Sequence, residues 1–300
     1  TREAQMIVRF DPDQRFTASF NELGLLDVQK KQLTEALNEP HGIVIVAAPQ
    51  RQGLTTSLYS FVQRHDAYTA SILTLEDDIA HEIEGAEQKL IESGSNGKWM
   101  NEQLTRMIRQ DPTVLMVSRV SDASTAQLLS DAAVDGPRVY VGLSTGDTFT
   151  ALRTWIKAVG DAKSAAKSLR AITAQRLVRR LCLSCRAAFT PDPEAMRKMN
   201  LPADRVQQLY KETGQVMGKK EPMECPACRG LGFSGRIAVF EVMAMDDTAR
   251  ELIAAAQLDK LRAYLRKRKT LWLQEAALTR VVEGVTSISE IQRCFAKESK

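Results

Sequence analysis

Four short apolar runs, each separated from the next by a stretch long enough for a helix, constrain the fold of this chain more than any other feature. They lie at 43–46, 71–75, 114–117 and 139–143 and are rich in Val, Ile and Leu. Continuous apolar runs of this length are typical of strands buried on both faces of a sheet. Because they alternate with helix-length segments, the sequence predicts parallel βαβ units and an α/β sheet covered on both faces.

Length and composition are those of an ordinary globular protein. The 300 residues suggest about two domains, and a content of 44% hydrophobic and 26% charged residues argues against disorder. No apolar run approaches the ~20 residues of a membrane-spanning helix, and the first residues show no signal-peptide pattern. The chain begins with Thr1 and residues 6–10 predict a strand, so we expect a trimmed chain. A net charge of +4 and few aromatic residues argue against a nucleic-acid site.

Helical spacing and composition predict how the rest of the chain is organised. Spaced leucines predict one helix before residue 40 and further helices from Asp246 onward. Ser287, followed three residues later by Glu290, predicts the start of the last helix. Residues 182–236 are enriched in Cys, Pro, Gly and Lys, which predicts a small irregular module.

Four of the five cysteines form two C-x-x-C pairs, Cys182/Cys185 and Cys225/Cys228. So few cysteines do not make a secreted disulfide framework, whereas four thiolates can complete the tetrahedron of a structural zinc ion. The alternatives are a redox disulfide or two unrelated pairs; neither pair opens a βα unit, which favours zinc. With four protein ligands, no coordination position remains for catalysis. Cys294 is alone on a predicted helix and is interpreted as a small apolar residue.

A phosphate-binding loop is expected directly after the first buried strand, where backbone N–H groups and a helix N-terminus face an anion. The full pattern is G-x-x-x-x-G-K-[ST]. In this chain Ala48 takes the place of the first glycine, Gly53 that of the second, and Leu54 that of the lysine, while Thr55 keeps the hydroxyl that binds Mg²⁺. By itself this match is too incomplete to identify a nucleotide site.

Longer motifs make the chain resemble, over about residues 7–295, the secretion ATPase family, the cytoplasmic motors of type II secretion and type IV pili. The segments that carry the resemblance are NELGL at 21–25, PHG at 40–42, TTSLY at 55–59, LEDDI at 75–79 followed by EG at 84–85, residues 106–117 with RQDP at 109–112, QRLVRRLC at 175–182, and residues 230–241 with GR at 235–236. The acidic segment resembles the family's Asp box, and the last two segments resemble its zinc module.

The resemblance implies an α/β fold: a RecA-like P-loop NTPase core that works as a hexameric ATP-driven ring, with a tetracysteine zinc subdomain and a C-terminal helical region. The implied regions are 1–40 (remnant of an N-terminal domain and linker helix), 41–181 (nucleotide-binding core), 182–240 (zinc subdomain) and 241–300 (helical subdomain). By position, the nucleotide contacts would be Gly53, Leu54, Thr55, Thr56 and Asp77, and catalytic roles would fall on Glu76 and position 119. Arg9 lies where the family carries a trans-acting arginine.

The departures from the family pattern are concentrated at the nucleotide pocket. Leu54 replaces the lysine that contacts the β- and γ-phosphates, and Arg119 replaces the Walker B glutamate. Ser144 lies where the family has its His-box histidine. Ala48, Arg51 and Ser118 lie where it keeps glycine, and the chain has only 16 glycines in total. The combined loss of Lys, Glu and His predicts a pseudo-ATPase with impaired or absent hydrolysis.

Two hypotheses concern the altered pocket. In the first, Arg119 pairs with Glu76 or Asp77, takes the place of the metal and stabilises an empty pocket. In the second, Arg51 and Arg119 supply replacement cations and nucleotide still binds. Binding of ATP and Mg²⁺ is therefore left open by the sequence.

The leading interpretation is a structural or regulatory subunit of a type II secretion or type IV pilus motor, cytoplasmic and peripheral to the inner membrane. It would form a homo-hexamer or co-assemble with an active paralogue, in contact with inner-membrane platform proteins and not with nucleic acid. The alternatives are an active ATPase with non-standard catalytic groups and a zinc-stabilised scaffold used for protein contacts alone.

Overall fold

A computed structural model describes residues 18–92, 94–120, 122–199, 201, 206–218 and 221–296. Within these ranges the chain forms one seven-stranded sheet, two small two-stranded sheets and a series of helices on both faces of the large sheet. The strand predicted at 6–10, which includes Arg9, lies outside the described residues.

The strands and helices follow one another as βα units through the first half of the chain. The strands are β1 Gly42–Ala47, β2 Ile72–Glu76, β3 Ala86–Leu90, β4 Val114–Val117, β5 Arg138–Leu143, β6 Leu169–Leu181, β7 Ala187–Phe189, β8 Leu209–Lys211, β9 Gln215–Met217, β10 Pro222–Glu224 and β11 Phe233–Ala244. The helices are α1 Asp27–Asn38, α2 Leu54–Val62, α3 Gly97–Ile108, α4 Ala123–Ala132, α5 Thr148–Val159, α6 Ala162–Ser168, α7 Pro193–Lys198, α8 Asp247–Ala254, α9 Leu258–Lys267, α10 Leu273–Val282 and α11 Ile288–Phe295. The four predicted buried strands are confirmed as β1, β2, β4 and β5.

The large sheet has the strand order β11-β6-β1-β5-β4-β2-β3. β1 pairs in parallel with both β5 and β6, and β2 pairs in parallel with β3 and β4. β4 and β5 are also parallel, whereas β11 runs antiparallel to β6 at one edge. The carboxyl ends of the parallel strands therefore meet at one edge of the sheet, which is where open α/β sheets bind ligands.

Both faces of the sheet are covered, as the continuous apolar runs predict. Ile43 and Ile45 of β1 face a core built with α3–α6, α8 and α9, in which Trp155 is fully buried. Val44 and Val46 face the opposite core, which α1 and α2 cover. This alternation follows from the two-residue period of a strand. None of the helices in the described ranges is long and apolar enough to span a membrane.

The sequence patterns do not predict β6, β11 or β3. In β6, arginines at 170, 176, 179 and 180 interrupt the apolar run, because β6 and β11 form an antiparallel pair at the edge of the sheet and are exposed over part of their length. β3 is a polar edge strand. The expected boundary between residues 240 and 241 falls inside β11, while the first helix after it, α8, begins at Asp247 with Asp246 as its N-cap. The division into four regions stays a prediction.

Glu290 of α11 ties the last helix to β6. Its carboxylate is fully buried and accepts hydrogen bonds from Arg179 Nε at 2.8 Å and Nη2 at 2.6 Å. It also accepts from Arg293 Nε at 2.8 Å and Nη2 at 2.7 Å. Burial opposes ionisation of Glu290, but these arginines overcome that effect and lower its pKa to about 2. Ser287 caps the helix at the Glu290 N–H, as predicted.

Glu290→Gln is expected to lower the free energy of unfolding at neutral pH by about 2–3 kcal/mol, because two arginines lose their buried counter-charge. The folded pKa lies below the ordinary value of 4.5, so the contribution of Glu290 is complete above that value and is lost as the pH falls from about 5 towards about 2. Urea unfolding over this pH range measures the effect. Glu251→Gln on the exposed side of α8 is the matched control, and equal losses in the two variants would contradict the prediction.

Candidate functional site

A cleft of about 1060 Å³ opens at the carboxyl ends of the parallel strands. Residues of the loop between β1 and α2 line it, together with residues that directly follow β2, β4 and β5. The lining includes Gly53, Leu54, Thr55, Thr56, Asp77, Arg119 and Ser144. The residues expected at a nucleotide therefore lie together, with the exception of Glu76, which lines a smaller neighbouring cavity of about 160 Å³.

The loop between β1 and α2 is fixed to β6 by two glutamines. The Leu177 N–H donates to Gln52 Oε1 at 2.7 Å, and Gln175 Nε2 donates to the Gln52 carbonyl oxygen at 2.8 Å. The Ser57 hydroxyl in α2 donates to Gln175 Oε1 at 2.6 Å. β6 therefore sets the position of the loop and of the first turn of α2, although the sequence patterns single out neither glutamine.

Two residues of this loop have left-handed backbone conformations. Gly53 has a φ of 83° and precedes α2, and a Cβ atom there would lie 3.1 Å from Gln175 Nε2. Arg51 has a φ of 60°, in a region that glycine occupies freely and that costs other residues about 1–2 kcal/mol. The backbone strain predicted for Arg51 is thus present, and its exposed side chain lines the cleft.

The first turn of α2 faces the cleft. N–H groups of a first helical turn have no partner inside the helix and carry a partial positive charge. Leu54 begins this turn and packs against the core under α1 and α2, while Thr55 and Thr56, which carry hydroxyl groups, line the cleft. The start of α2 therefore offers backbone and hydroxyl groups to an anion, but position 54 adds no cation.

Arg119 forms an ion pair with Asp77, which follows the neighbouring strand β2. Arg119 Nε lies 2.5 Å from Asp77 Oδ1, and the side chains are 45% and 48% exposed. The other oxygen, Asp77 Oδ2, accepts the Ser118 hydroxyl at 3.1 Å, and that hydroxyl in turn accepts the Asp77 N–H at 3.0 Å. Of the two carboxylates predicted to pair with Arg119, Asp77 is the one that does so, and each of its oxygens has a hydrogen-bond partner.

Glu76 lies in a separate buried network below Asp77. Its carboxylate accepts the Tyr59 hydroxyl, the Thr74 hydroxyl at 2.5 Å and Gln88 Nε2 at 3.0 Å. Burial, together with the bond to Glu76, raises the pKa of Tyr59 well above its ordinary value. The network joins α2, β2 and β3, so the observed contacts of Glu76 are structural.

Glu76→Gln is expected to lower the free energy of unfolding by about 1–3 kcal/mol, because an amide NH₂ would face hydroxyl and amide donors in a buried site. Urea unfolding at neutral pH measures the loss. Glu87→Gln, on the exposed side of the neighbouring β3, provides a matched control with an expected change within about 0.5 kcal/mol. If Glu76→Gln were as stable as its control, the structural interpretation of Glu76 would be wrong.

The four paired cysteines form one buried cluster between the end of β6 and the start of β11. All four Sγ atoms lie within 4.8 Å of one another, with Cys182 to Cys225 at 3.8 Å and Cys185 to Cys228 at 3.6 Å. Sulfurs at ~2.3 Å from one tetrahedral ion are about 3.8 Å apart. These distances fit a metal tetrahedron, and the cysteines are free thiols rather than disulfides.

Backbone contacts hold the two cysteine knuckles together. The Cys182 N–H donates to the Gly232 carbonyl at 2.9 Å, and the Cys225 N–H donates to the Gly214 carbonyl at 2.8 Å. Burial opposes ionisation of Cys225, but the N–H groups of Cys228 and Ala227 overcome it and lower the pKa of Cys225 to about 7. Burial and a hydrogen bond with Cys228 raise the pKa of Cys185 to about 12. Without a metal, the cluster therefore favours a thiolate at Cys225 and a protonated thiol at Cys185, and zinc binding would require release of that proton.

Sequence reasoning did not identify Arg236 as a cleft residue. Gly235 and Arg236 are part of a motif assigned to the zinc module, yet β11 carries both of them to the cleft. Their position depends on the pairing of β11 with β6, where Arg236 lies opposite Arg179. No sequence signal predicts that pairing, because both strands carry charged residues at exposed positions.

A mainly parallel sheet with a loop after β1 that faces a cleft at the strand carboxyl ends defines an α/β fold with a mostly parallel central sheet. A solved structure of the pilus retraction motor PilT with bound ADP has this fold, with a TM-score of 0.66 at 17% identity, covering 97% of this chain and 70% of that one.

Sequence comparison gives the family. The family model of the type II/IV secretion system protein matches residues 1–293, and the chain belongs to this family. It is 28% identical to the type IV pilus assembly ATPase PilB of Thermus thermophilus over 273 residues, covering 90% of the chain and 30% of that protein. It is 30% identical to the type II secretion system ATPase E of Vibrio cholerae over 278 residues, covering 92% of the chain and 53% of that protein. The chain thus spans about a third to a half of the length of these relatives.

Proposed function

We propose that this chain is a non-hydrolysing or weakly hydrolysing member of the secretion ATPase family that acts as a structural or regulatory subunit of a secretion or pilus motor. The observation that carries the proposal is the Arg119–Asp77 ion pair at 2.5 Å. It places a cation, bound to the Asp-box carboxylate, where the family has a second carboxylate. Leu54 and Ser144, in the same cleft, replace the lysine and the histidine of the family pattern.

The loss of these catalytic groups has a large energetic effect on phosphoryl transfer. Catalysis of this reaction depends on cations and metal ions that neutralise charge developing on the transferred phosphoryl group. A hydrogen bond to a charged group contributes about 1.5–3 kcal/mol, and removal of such a group from the transition state slows a reaction by about 10²–10³-fold. The loss of lysine, glutamate and histidine together is therefore expected to reduce turnover below a useful rate.

Steady-state phosphate release at saturating ATP and Mg²⁺ tests this proposal. The expected rate is at least about 100-fold below that of the Vibrio cholerae ATPase E assayed beside it. A rate within about tenfold of that relative would contradict the proposal.

We also propose that the tetracysteine cluster holds one structural zinc ion. The sulfur spacing and the burial of all four cysteines support it. Because the four thiolates complete the tetrahedron, the ion would stabilise the module and leave no position for a substrate.

Assembly and location are proposed from family membership alone. We expect a ring, either of this chain or mixed with an active paralogue, on the cytoplasmic side of the inner membrane beside platform proteins. Mass measurement of the protein alone and mixed with the paralogue tests this: a monomer under both conditions would contradict it.

The second candidate function is an active ATPase with rearranged cations. The observation that favours it is that Arg51 and Arg236 line the same cleft as Arg119. This candidate predicts measurable phosphate release that falls when Arg51 is replaced by Ala.

A further inference from the structure

We propose that the cleft binds a nucleoside polyphosphate without Mg²⁺, with arginine side chains supplying the positive charge that the ion would otherwise bring. The inference rests on the proposed function, in which the chain keeps the cleft of a secretion ATPase and has lost hydrolysis. It goes further by naming the form of the ligand: the free nucleoside di- or triphosphate rather than its magnesium complex.

The residues of the cleft do not fit Mg²⁺. The ion requires oxygen ligands in a nearly octahedral arrangement at 2.0–2.1 Å, usually including one or two carboxylates. Asp77 is already bound by Arg119 Nε at 2.5 Å and by the Ser118 hydroxyl at 3.1 Å. An ion at Asp77 would have to displace the guanidinium or lie directly beside it, where the two positive charges repel one another.

Glu22 and Glu76, two other carboxylates at or beside the cleft, also have hydrogen-bond partners. Glu22, the second acidic residue of the described lining, accepts the Ser19 N–H at 3.0 Å and the Ser19 hydroxyl at 2.6 Å. Glu76 is buried under three hydrogen-bond donors. The hydroxyl of Thr55 remains at the cleft, but a hydroxyl without a carboxylate is a weak ligand set for this ion.

The same cleft is well suited to a free polyphosphate. Its described lining contains three arginines, Arg51, Arg119 and Arg236, against two carboxylates. Guanidinium groups bind phosphate oxygens in pairs of parallel hydrogen bonds. The N-terminus of α2 adds backbone N–H groups and a partial positive charge. A glutamate at position 119 would leave more carboxylates than arginines in the lining and make binding dependent on a divalent cation.

Calorimetric titration of the protein with ADP and with ATP, once in excess Mg²⁺ and once in EDTA, tests the proposal. The expected dissociation constants agree within about threefold between the two conditions, and inorganic pyrophosphate competes. Binding at least about tenfold tighter with Mg²⁺ would overturn the proposal, and so would the absence of binding under both conditions. These binding results do not bear on hydrolysis, so phosphate release measured on the same sample tests the proposed function separately.

Arg119→Glu sharpens the test. It frees Asp77 and places a second carboxylate beside it, so binding in EDTA is expected to weaken about tenfold or more while Mg²⁺ becomes stimulatory. Arg153→Glu makes the same change of charge on the exposed side of α5 and is expected to leave both constants unchanged. An Arg119→Glu variant that still binds equally well with and without Mg²⁺ would contradict the role given to Arg119.

Discussion

The double variant Leu54→Lys/Arg119→Glu should hydrolyse ATP at least about 100-fold faster than the unmodified protein when Mg²⁺ is present. A lysine at 54 would follow the apolar path of Leu54 with its aliphatic stem and reach the cleft with its ammonium group. A glutamate at 119 would release Asp77 from its ion pair and form a carboxylate pair able to hold a divalent cation. Phosphate release at saturating ATP measures the gain.

The matched control is Leu54→Met/Arg119→Gln, which keeps similar side-chain volumes without adding an ammonium or a carboxylate. No gain in hydrolysis is expected from it. Since Ser144 still lacks an imidazole, adding Ser144→His to the active pair is expected to increase the rate further. An equal gain in the control, or no gain in a double variant that is folded and binds Mg–ATP, would show that these positions do not limit hydrolysis.

Loss of one zinc ligand is expected to unfold the cysteine module. Cys225 is fully buried, and structural zinc contributes on the order of 10 kcal/mol or more to the folding of small modules. Cys225→Ser should therefore reduce bound zinc from one per chain to nearly none. The cluster joins the end of β6 to the start of β11, and these strands carry Gln175 and Arg236 to the cleft. The thermal midpoint of the whole chain should therefore fall by about 10 °C or more.

Cys294→Ser is the matched control, because Cys294 lies on α11 outside the cluster. Zinc content by elemental analysis and thermal unfolding are measured on both variants. We expect the control to keep its zinc. Full zinc in Cys225→Ser, or zinc absent from the unmodified protein, would contradict the assignment of the metal site.

Much of the fold is predictable because its central strands are buried on both faces. Such strands appear as short apolar runs, which located β1, β2, β4 and β5 within a residue or two of their bounds. β6 and β11 gave no such signal, since they extend beyond the covered part of the sheet and carry exposed arginines. Their pairing is set by contacts between residues about sixty positions apart in the chain, as for Arg236 and Arg179.

The candidate site was predictable in composition but not in its supporting contacts. Comparison with a motif identifies Leu54 and Arg119 as departures, and charge alone suggests that Arg119 pairs with a neighbouring carboxylate. The choice of Asp77 over Glu76 depends on the buried network in which Tyr59 and Gln88 hold Glu76. Those two residues belong to α2 and β3, so their convergence on Glu76 follows from tertiary packing that no local pattern records.

A single-turnover reaction tests the loss of hydrolysis most directly. The protein, in excess over labelled ATP with Mg²⁺ present, is incubated for hours and the nucleotide is then separated. The expected result is that nearly all of the label is recovered as ATP. Conversion to ADP in a single exponential phase that disappears in the Arg51→Ala variant would contradict it, because hydrolysis would then occur in this cleft.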